Sequence, residues 1–171
     1  YSVNSNDWIN KDFVITAKAG YKLSLTDTAN GEWVDSLTAS DETDNGKLTF
    51  FVKNTETGAV SAAVTESYKI DKTAPTGEVK LNERTAFQKL INTITFGLFF
   101  KDDVNVKLTA EDEVSGVKSV LYFRSDKVLT NDEIRAITDW TDNSDFDIVA
   151  KDMDKFIIYV RIEDNAGNVT F

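Results

Sequence analysis

Two loops in the second half of the chain carry oxygen-bearing side chains that suit a hard cation. Glu111 and Asp112 follow one alternating segment, Asp164 and Asn165 follow another, and Asp71 lies shortly before the only proline. Calcium takes about six to eight oxygen ligands from carboxylates, amides and backbone carbonyls. These five residues are therefore candidate Ca²⁺ ligands. The alternative is that they are solvated loop residues, because the chain has a net charge of −10 and many exposed acids are expected.

The composition excludes several classes of site. The chain has no cysteine and no histidine, so disulfides, thiolate metal sites and catalytic triads with a histidine are excluded. The acidic excess argues against binding to nucleic acid or to anionic lipid, since both require a basic face. Residues 91–100 form the longest apolar run, which is about half the length of a membrane span. We therefore expect a soluble segment that does not insert into membranes.

Pairs of neighbouring acidic residues are candidates for catalytic carboxylates. Asp102 with Asp103 and Asp152 with Asp154 are two such pairs. Glycoside hydrolysis needs two carboxylates that face each other across a cleft, whereas these pairs fall in turn-like segments of a small module. We therefore expect no enzymatic activity, no catalytic residue and no required cofactor other than the Ca²⁺ considered above.

The aromatic residues offer a second kind of binding site. Exposed aromatic rings can stack on sugars. Trp33 and Trp140 recur at matching places in the two halves of the chain, which favours a role in the core or in capping a sheet. Tyr122 and Tyr159 are predicted on the outer faces of their strands, so these two residues are the first candidates for contact with a glycan.

Period-2 alternation of apolar and polar residues predicts an all-β protein. Each alternating segment has β-branched or aromatic residues on one side, as in strands that are half buried and half solvated. Phe50, Phe146 and Ile158, together with the two tryptophans, are the predicted centres of the cores. The alternating segments are 13–18, 21–26, 48–53, 106–111, 145–150 and 158–163, and turns are predicted at 18–20, 29–31, 44–46 and 114–116.

Two short helical turns are predicted in the second half. Thr130 and Glu133 have the spacing of a capping box, and Ile134 follows on one face. Thr85 and Gln88 have the same spacing. Elsewhere the sequence favours strands and turns.

The chain contains an internal repeat with a boundary near Pro75. The segment 13–17 resembles 106–110, and Gly58-Ala59-Val60-Ser61 resembles Gly167-Asn168-Val169-Thr170. Pro75 restricts its own backbone and that of Ala74 to extended geometry. We therefore predict one domain at 1–72, a short extended linker at 73–77 and a second domain at 78–171, with insertions around 83–101 and 125–143. The terminal residues resemble interrupted strands, so we expect the sequence to be part of a larger protein.

Three segments together resemble the tandem bacterial immunoglobulin-like repeats of large Gram-positive cell-surface proteins. They are the string Ile-Asp-Lys-Thr-Ala-Pro-Thr-Gly at 70–77, the string Glu-Asp-Asn-Ala-Gly-Asn-Val-Thr at 163–170, and residues 92–101. The resemblance covers the second domain fully and the first more loosely. It implies two tandem immunoglobulin-like β-sandwich domains, secreted and attached to the cell wall.

The resemblance also implies a place and a function for the candidate residues. In this fold the two acidic loops lie at the pole where the chain enters, so a bound Ca²⁺ would stiffen the junction between the domains. We expect non-catalytic spacer or adhesion modules, monomeric, whose partners are neighbouring repeats of the same chain. The alternative is a module that binds a glycan or a host protein, as an accessory of a secreted carbohydrate-active enzyme.

Related surface modules contain covalent bonds between lysine and asparagine, which require a buried lysine. Here Lys22, Lys53, Lys80 and Lys107 all fall on the polar side of their strands. We therefore expect no such bond.

Overall fold

The computed structural model describes residues 1–5, 7–28, 31–81, 104–148 and 157–171. The chain divides into two compact units, Tyr1–Thr73 and Ala74–Phe171. Strands dominate both units, so the prediction of a predominantly β protein is confirmed. The second unit begins its first strand at Thr76, which lies inside the segment predicted as a linker.

In the part of the first unit that the structure describes, there are seven strands in two sheets. One sheet has the order β1-β3-β5 and the other the order β2-β7-β6-β4. All pairs are antiparallel except β2 and β7, which run parallel. The strands are β1 (Ser2–Val3), β2 (Trp8–Ile9), β3 (Phe13–Thr16), β4 (Tyr21–Ser24), β5 (Ser36–Ala39), β6 (Thr43–Asn54) and β7 (Val64–Ile70).

The core of the first unit draws side chains from both sheets. Phe13 and Ile15 of β3 meet Leu23, Phe50 and Ile70 of the other sheet, and all five are almost completely buried. Phe13 and Ile15 are two residues apart, so they lie on the same face of β3. Burying each large side chain contributes about 1.5–3 kcal/mol, and the two sheets are therefore held face to face by apolar packing.

The turn predicted at Asp44-Asn45-Gly46 is wrong. Strand β6 runs through these residues, with a register shift between Thr43 and Gly46 where it pairs with β7. Gly46 is buried, and a Cβ at this position would overlap the ring of Tyr68. The glycine is needed here for the close approach of an aromatic ring rather than for a turn.

The described residues of the second unit, 74–81, 104–148 and 157–171, form six strands in two sheets and one short helix. One sheet has the order β11-β9-β8 and the other the order β10-β12-β13, all antiparallel. The elements are β8 (Thr76–Leu81), β9 (Val104–Glu111), β10 (Val117–Ser125), α1 (Asn131–Arg135), β11 (Asp145–Ile148), β12 (Ile157–Asp164) and β13 (Val169–Thr170).

The core of the second unit is smaller. Val106 and Leu108 of β9 and Ile148 of β11 form its buried centre. The predicted core residues Phe146 and Ile158 pack against this centre but remain half-buried. Both sheets contribute, so this unit too is a pair of packed sheets.

Helix α1 begins at the capping box that the sequence predicts. The Thr130 side chain accepts a hydrogen bond from the Glu133 N–H, and the Glu133 carboxylate accepts one from the Thr130 N–H. The other predicted turn, at Thr85 and Gln88, lies outside the described residues, as do residues 92–101 and both acid pairs at 102–103 and 152–154. In the described part of the chain, no helix has the length and apolar character needed to cross a bilayer.

The two units share one order of connection. In each unit, the first sheet centres on an early strand, β3 or β9, which lies between a preceding strand and a later one. The second sheet centres on the penultimate strand, β6 or β12, with the last strand on one side and β4 or β10 on the other. The turn before each last strand contains a glycine with positive φ, Gly58 at 73° and Gly167 at 89°. Apart from β2, the described strands of the two units are therefore connected in the same order.

Candidate functional site

The acidic candidates of the second unit lie at one end of its two sheets. Glu111 ends β9 opposite Thr76, the first residue of β8. Asp164 ends β12 opposite Val117, the first residue of β10. The loop at 112–116 and the turn at 165–168 are therefore at the same pole, where β8 begins.

Asp112 fixes the shape of the first loop. Its Oδ1 atom accepts hydrogen bonds from the backbone N–H groups of Ser115 at 2.9 Å and Gly116 at 2.7 Å. Gly116 has a φ of 79°, which favours glycine at this position. Asp112 is half-buried, and it closes the loop in the way that an aspartate caps a turn.

Asp164 fixes the shape of the second turn. It has no solvent exposure. Its Oδ1 accepts the backbone N–H of Asn168 at 2.8 Å, and its Oδ2 accepts the side-chain amide of the same residue at 2.7 Å. The burial of this carboxylate is thus offset by hydrogen bonds from within the turn.

The structure brings two of the five candidate calcium ligands together within the second unit. Carboxylate oxygens of Asp112 and Asp164 lie within 4.8 Å of each other. Two carboxylates at this distance repel each other, and a divalent cation between them would remove the repulsion. The hydrogen bonds above also give each carboxylate a structural role in its loop.

The other three candidates have different surroundings. The side chain of Glu111 is exposed. The Asn165 amide group donates to the carbonyl oxygens of Ser115 at 2.8 Å and Gly116 at 3.0 Å. Asp71 belongs to the first unit, where it is fully buried and its Oδ1 accepts the Thr73 N–H at 3.0 Å. Calcium binding by these residues stays a prediction.

The two tryptophans occupy equivalent positions. Trp33 immediately precedes Val34, which forms an isolated bridge with Leu23 on β4. Trp140 immediately precedes Thr141, which forms an isolated bridge with Tyr122 on β10. In both units the residue after the tryptophan thus pairs with the outer edge of an edge strand, β4 or β10. Both tryptophans are half-buried.

The prediction that Tyr122 and Tyr159 lie on the outer faces of their strands is wrong for Tyr122. Tyr122 stacks on Phe146 at 4.1 Å between ring centroids and packs against the core. Tyr159 lies on the face opposite Ile158, as predicted, but it is only 6% exposed, and its hydroxyl accepts the N–H of Leu129 at 2.7 Å. The segment ahead of α1 therefore covers this tyrosine, which alternation within one strand could not reveal.

Lys22, Lys53 and Lys80, three of the lysines that a covalent bond would require to be buried, have charged or aromatic partners, and none of them is fully buried. Lys22 pairs with Asp35 at 2.7 Å, and Lys80 pairs with Glu78 at 3.5 Å. Lys53 lies over the ring of Trp33, 5.3 Å from its centroid. Lys107 is half-buried on β9.

One cluster was not predicted from the sequence. Lys72, just after β7, bonds to Asp12 and Ser40, which lie far away along the chain. No local pattern marks such a contact, because its members share neither a strand nor a turn.

No protein-family model matches the chain, and no curated protein matches it. The geometry of its own residues therefore carries the functional argument.

Proposed function

We propose that the chain is a pair of non-catalytic immunoglobulin-like modules that act as a spacer and adhesion segment of a bacterial cell-surface protein. The observation that carries this proposal is the shared strand order of the two units. Apart from β2, each unit groups its first strand, the next strand and a later strand in one sheet, and its other strands in the second sheet. This grouping is that of immunoglobulin-like sandwiches. Fold alone does not define a ligand, so the proposal concerns a mechanical and positional role.

The direction of the strands supports a spacer. In the first unit, β2 near the start and β7 at the end run parallel. A chain that enters along β2 and leaves along β7 passes from one end of the sheets to the other. Modules with this property extend a polypeptide when they are joined in series, whereas modules whose ends lie together fold it back.

The composition supports a location outside the cell. The chain has no cysteine that an oxidising environment would alter, and its net charge of −10 favours solubility at a crowded surface. Together with the resemblance of the segments at 70–77 and 163–170, this supports attachment to, or release from, the wall of a Gram-positive bacterium.

A replacement experiment in the source bacterium tests the proposal. In one strain the segment is deleted from its gene, and in another it is replaced by an unrelated pair of immunoglobulin-like domains of the same length. Two quantities are measured: the adhesion of the cells, and the labelling of intact cells by an antibody to the outermost part of the surface protein, called the tip. A spacer predicts that deletion lowers both readings and that the replacement restores them. Loss of adhesion in the replacement strain, with the tip still labelled, would instead indicate that this segment binds a glycan or a host protein itself.

A further inference from the structure

The residues that follow β7 are fastened to two distant parts of the first unit. We call this set the Lys72 clip: Lys72, Thr73, Asp12, Ser40 and Glu42. The Lys72 ammonium donates to the Asp12 carboxylate at 2.6 Å and to the Ser40 carbonyl oxygen at 2.8 Å. The Lys72 backbone N–H donates to Glu42 Oε1 at 2.6 Å, and the Thr73 hydroxyl donates to the same oxygen at 3.0 Å.

The clip joins the two sheets of the unit. Asp12 immediately precedes β3, and Ser40 immediately follows β5, so both belong to the sheet β1-β3-β5. Lys72 continues from β7, which belongs to the other sheet. The clip thus links the end of one sheet to the other through side chains, two residues beyond the last strand pair, Ile9 with Ile70.

The parallel pairing of β2 and β7 determines how tension would act here. Pulling the chain from both sides loads β1 and its pairing with β3 on the N-terminal side, and it draws β2 toward its start and β7 toward its end. In a parallel pair these movements slide the strands past each other, so the bonds between them are loaded together rather than one at a time. The clip is the first set of bonds that tension from the C-terminal side meets.

We propose that the Lys72 clip carries mechanical load where the chain leaves the first unit, an inference that rests on the spacer function proposed above. Bonds to ionised partners are stronger than neutral ones, and here they converge on two adjacent residues. The ion pair is partly exposed, with Lys72 36% and Asp12 44% accessible. Such pairs add little to stability at equilibrium, so the effect of the clip is specific to force.

The chain offers a matched control for this test. Lys22 pairs with Asp35 at 2.7 Å, and its side chain is 37% exposed, close to the 36% of Lys72, although Asp35 is more exposed than Asp12, at 80% against 44%. Lys22 lies on β4, away from both β2 and β7. Lys72→Met and Lys22→Met therefore each remove a lysine that pairs with an aspartate, but only Lys72 lies at the loaded end and also donates to a backbone carbonyl oxygen.

Single-molecule pulling on the whole chain, held at its two termini at constant force, measures the effect. The unfolding rate of the first unit, identified by its shorter extension step, is expected to rise about fivefold in Lys72→Met, which corresponds to a loss of about 1 kcal/mol from the barrier to unfolding under force. Lys22→Met is expected to stay within about twofold of the parent chain. The melting temperatures of the two variants are expected to agree within about 2 °C.

Two results would overturn the proposal. One is an unchanged unfolding rate in Lys72→Met. The other is a melting temperature that falls much further in Lys72→Met than in Lys22→Met, because the clip would then be an ordinary stabilising contact. Glu42→Gln provides a second variant, because it removes only the charge of the carboxylate to which the Lys72 N–H and the Thr73 hydroxyl both donate. Its unfolding rate under force is expected to lie between those of the parent chain and Lys72→Met. The pulling experiment uses the isolated chain. Failure of the replacement experiment in cells would therefore contradict the spacer role without altering the measured effect of Lys72→Met on the unfolding rate.

Discussion

Asn165 donates two hydrogen bonds to the carbonyl oxygen of Gly116, one from its side-chain amide at 3.0 Å and one from its backbone N–H at 3.1 Å. The side chain also donates to the Ser115 carbonyl oxygen at 2.8 Å. Asp112 holds the same two residues from the other side, through their backbone N–H groups. The loop after β9 and the turn after β12 are therefore fastened to each other by hydrogen bonds.

Removal of the Asn165 side chain is expected to weaken the second unit. Asn165→Ala loses two hydrogen bonds to carbonyl oxygens, and we expect the free energy of unfolding to fall by about 1 kcal/mol because a hydrogen bond contributes about 0.5–1.5 kcal/mol net. Urea unfolding followed by tryptophan fluorescence measures the change. Asn131→Ala, at an exposed position at the start of α1, serves as the control and is expected to remain within about 0.5 kcal/mol. Equal stabilities of the two variants would contradict the prediction.

Substitution of Gly46 is expected to disturb the core of the first unit through Tyr68. The Cβ of Gly46→Ala would overlap the Tyr68 ring, which stacks on Phe13 at 5.0 Å between centroids. We expect a loss of about 1–3 kcal/mol, as for other overpacked sites, measured by chemical denaturation.

A double-mutant cycle separates this steric cause from a change in backbone preference. In a Tyr68→Ala background the ring is absent, so Gly46→Ala is expected to cost far less than it does in the parent chain. If the cost of Gly46→Ala were the same in both backgrounds, contact with Tyr68 would not be its cause.

The ion pairs of Glu163 are expected to make stability depend on pH. Hydrogen bonds from Lys118 and then from Arg161 hold the pKa of the Glu163 carboxyl below its usual value. A lowered folded-state pKa means that the contribution to stability is complete above the unfolded-state pKa, about 4.3, and is lost as pH falls through the folded-state pKa. We expect the parent chain to melt above Glu163→Gln at pH 6 and the difference to shrink by pH 3.

The size of this effect is limited by solvent. Lys118 is 56% exposed, so its part is expected to stay below about 1 kcal/mol. Lys118→Met should reproduce part of the change measured for Glu163→Gln. A difference between Glu163→Gln and the parent that is constant from pH 6 to pH 3 would show that ionisation of Glu163 is not involved.

Melting in the presence and absence of calcium separates the two explanations of the acidic loops. A calcium site predicts a higher melting temperature in Ca²⁺ at concentrations of about 1–5 mM, in the range where extracellular modules bind. A tenfold excess over Kd stabilises by about 1.4 kcal/mol. Solvated, hydrogen-bonded loops predict the same melting curve in Ca²⁺ and in chelator. Asp112→Asn is expected to abolish any rise, and Asp132→Asn, at an exposed acid of α1, is expected to retain it.

The sequence predicted what depends on local pattern. The alternation of the segment 13–18 agrees with the burial of Phe13 and Ile15 on one face of β3, and the capping box of Thr130 and Glu133 has a fixed spacing. The turn predicted at Asp44-Asn45-Gly46 is wrong because the same residues suit both a tight turn and a strand that passes beneath Tyr68. Only the tertiary structure distinguishes the two.

Contacts between distant segments could not be predicted. Lys72 and Asp12 are 60 residues apart, and Tyr159 is covered by a segment 30 residues before it. For the candidate calcium ligands, the family resemblance implied that two loops share a pole, but nothing in the sequence indicated that Asn165 directs its amide group toward Gly116.

The bridges that follow Trp33 and Trp140 cover part of the edges of β4 and β10, which bears on how the chain folds during synthesis. Two modules of the same topology on one polypeptide are at a very high local concentration, and an open strand edge invites pairing with a neighbour. Val34 and Thr141 each occupy part of such an edge from within their own module. Each unit thereby reduces the chance of misfolding with an adjacent copy as the chain emerges from the ribosome, which is a hazard that grows with every duplication of the module.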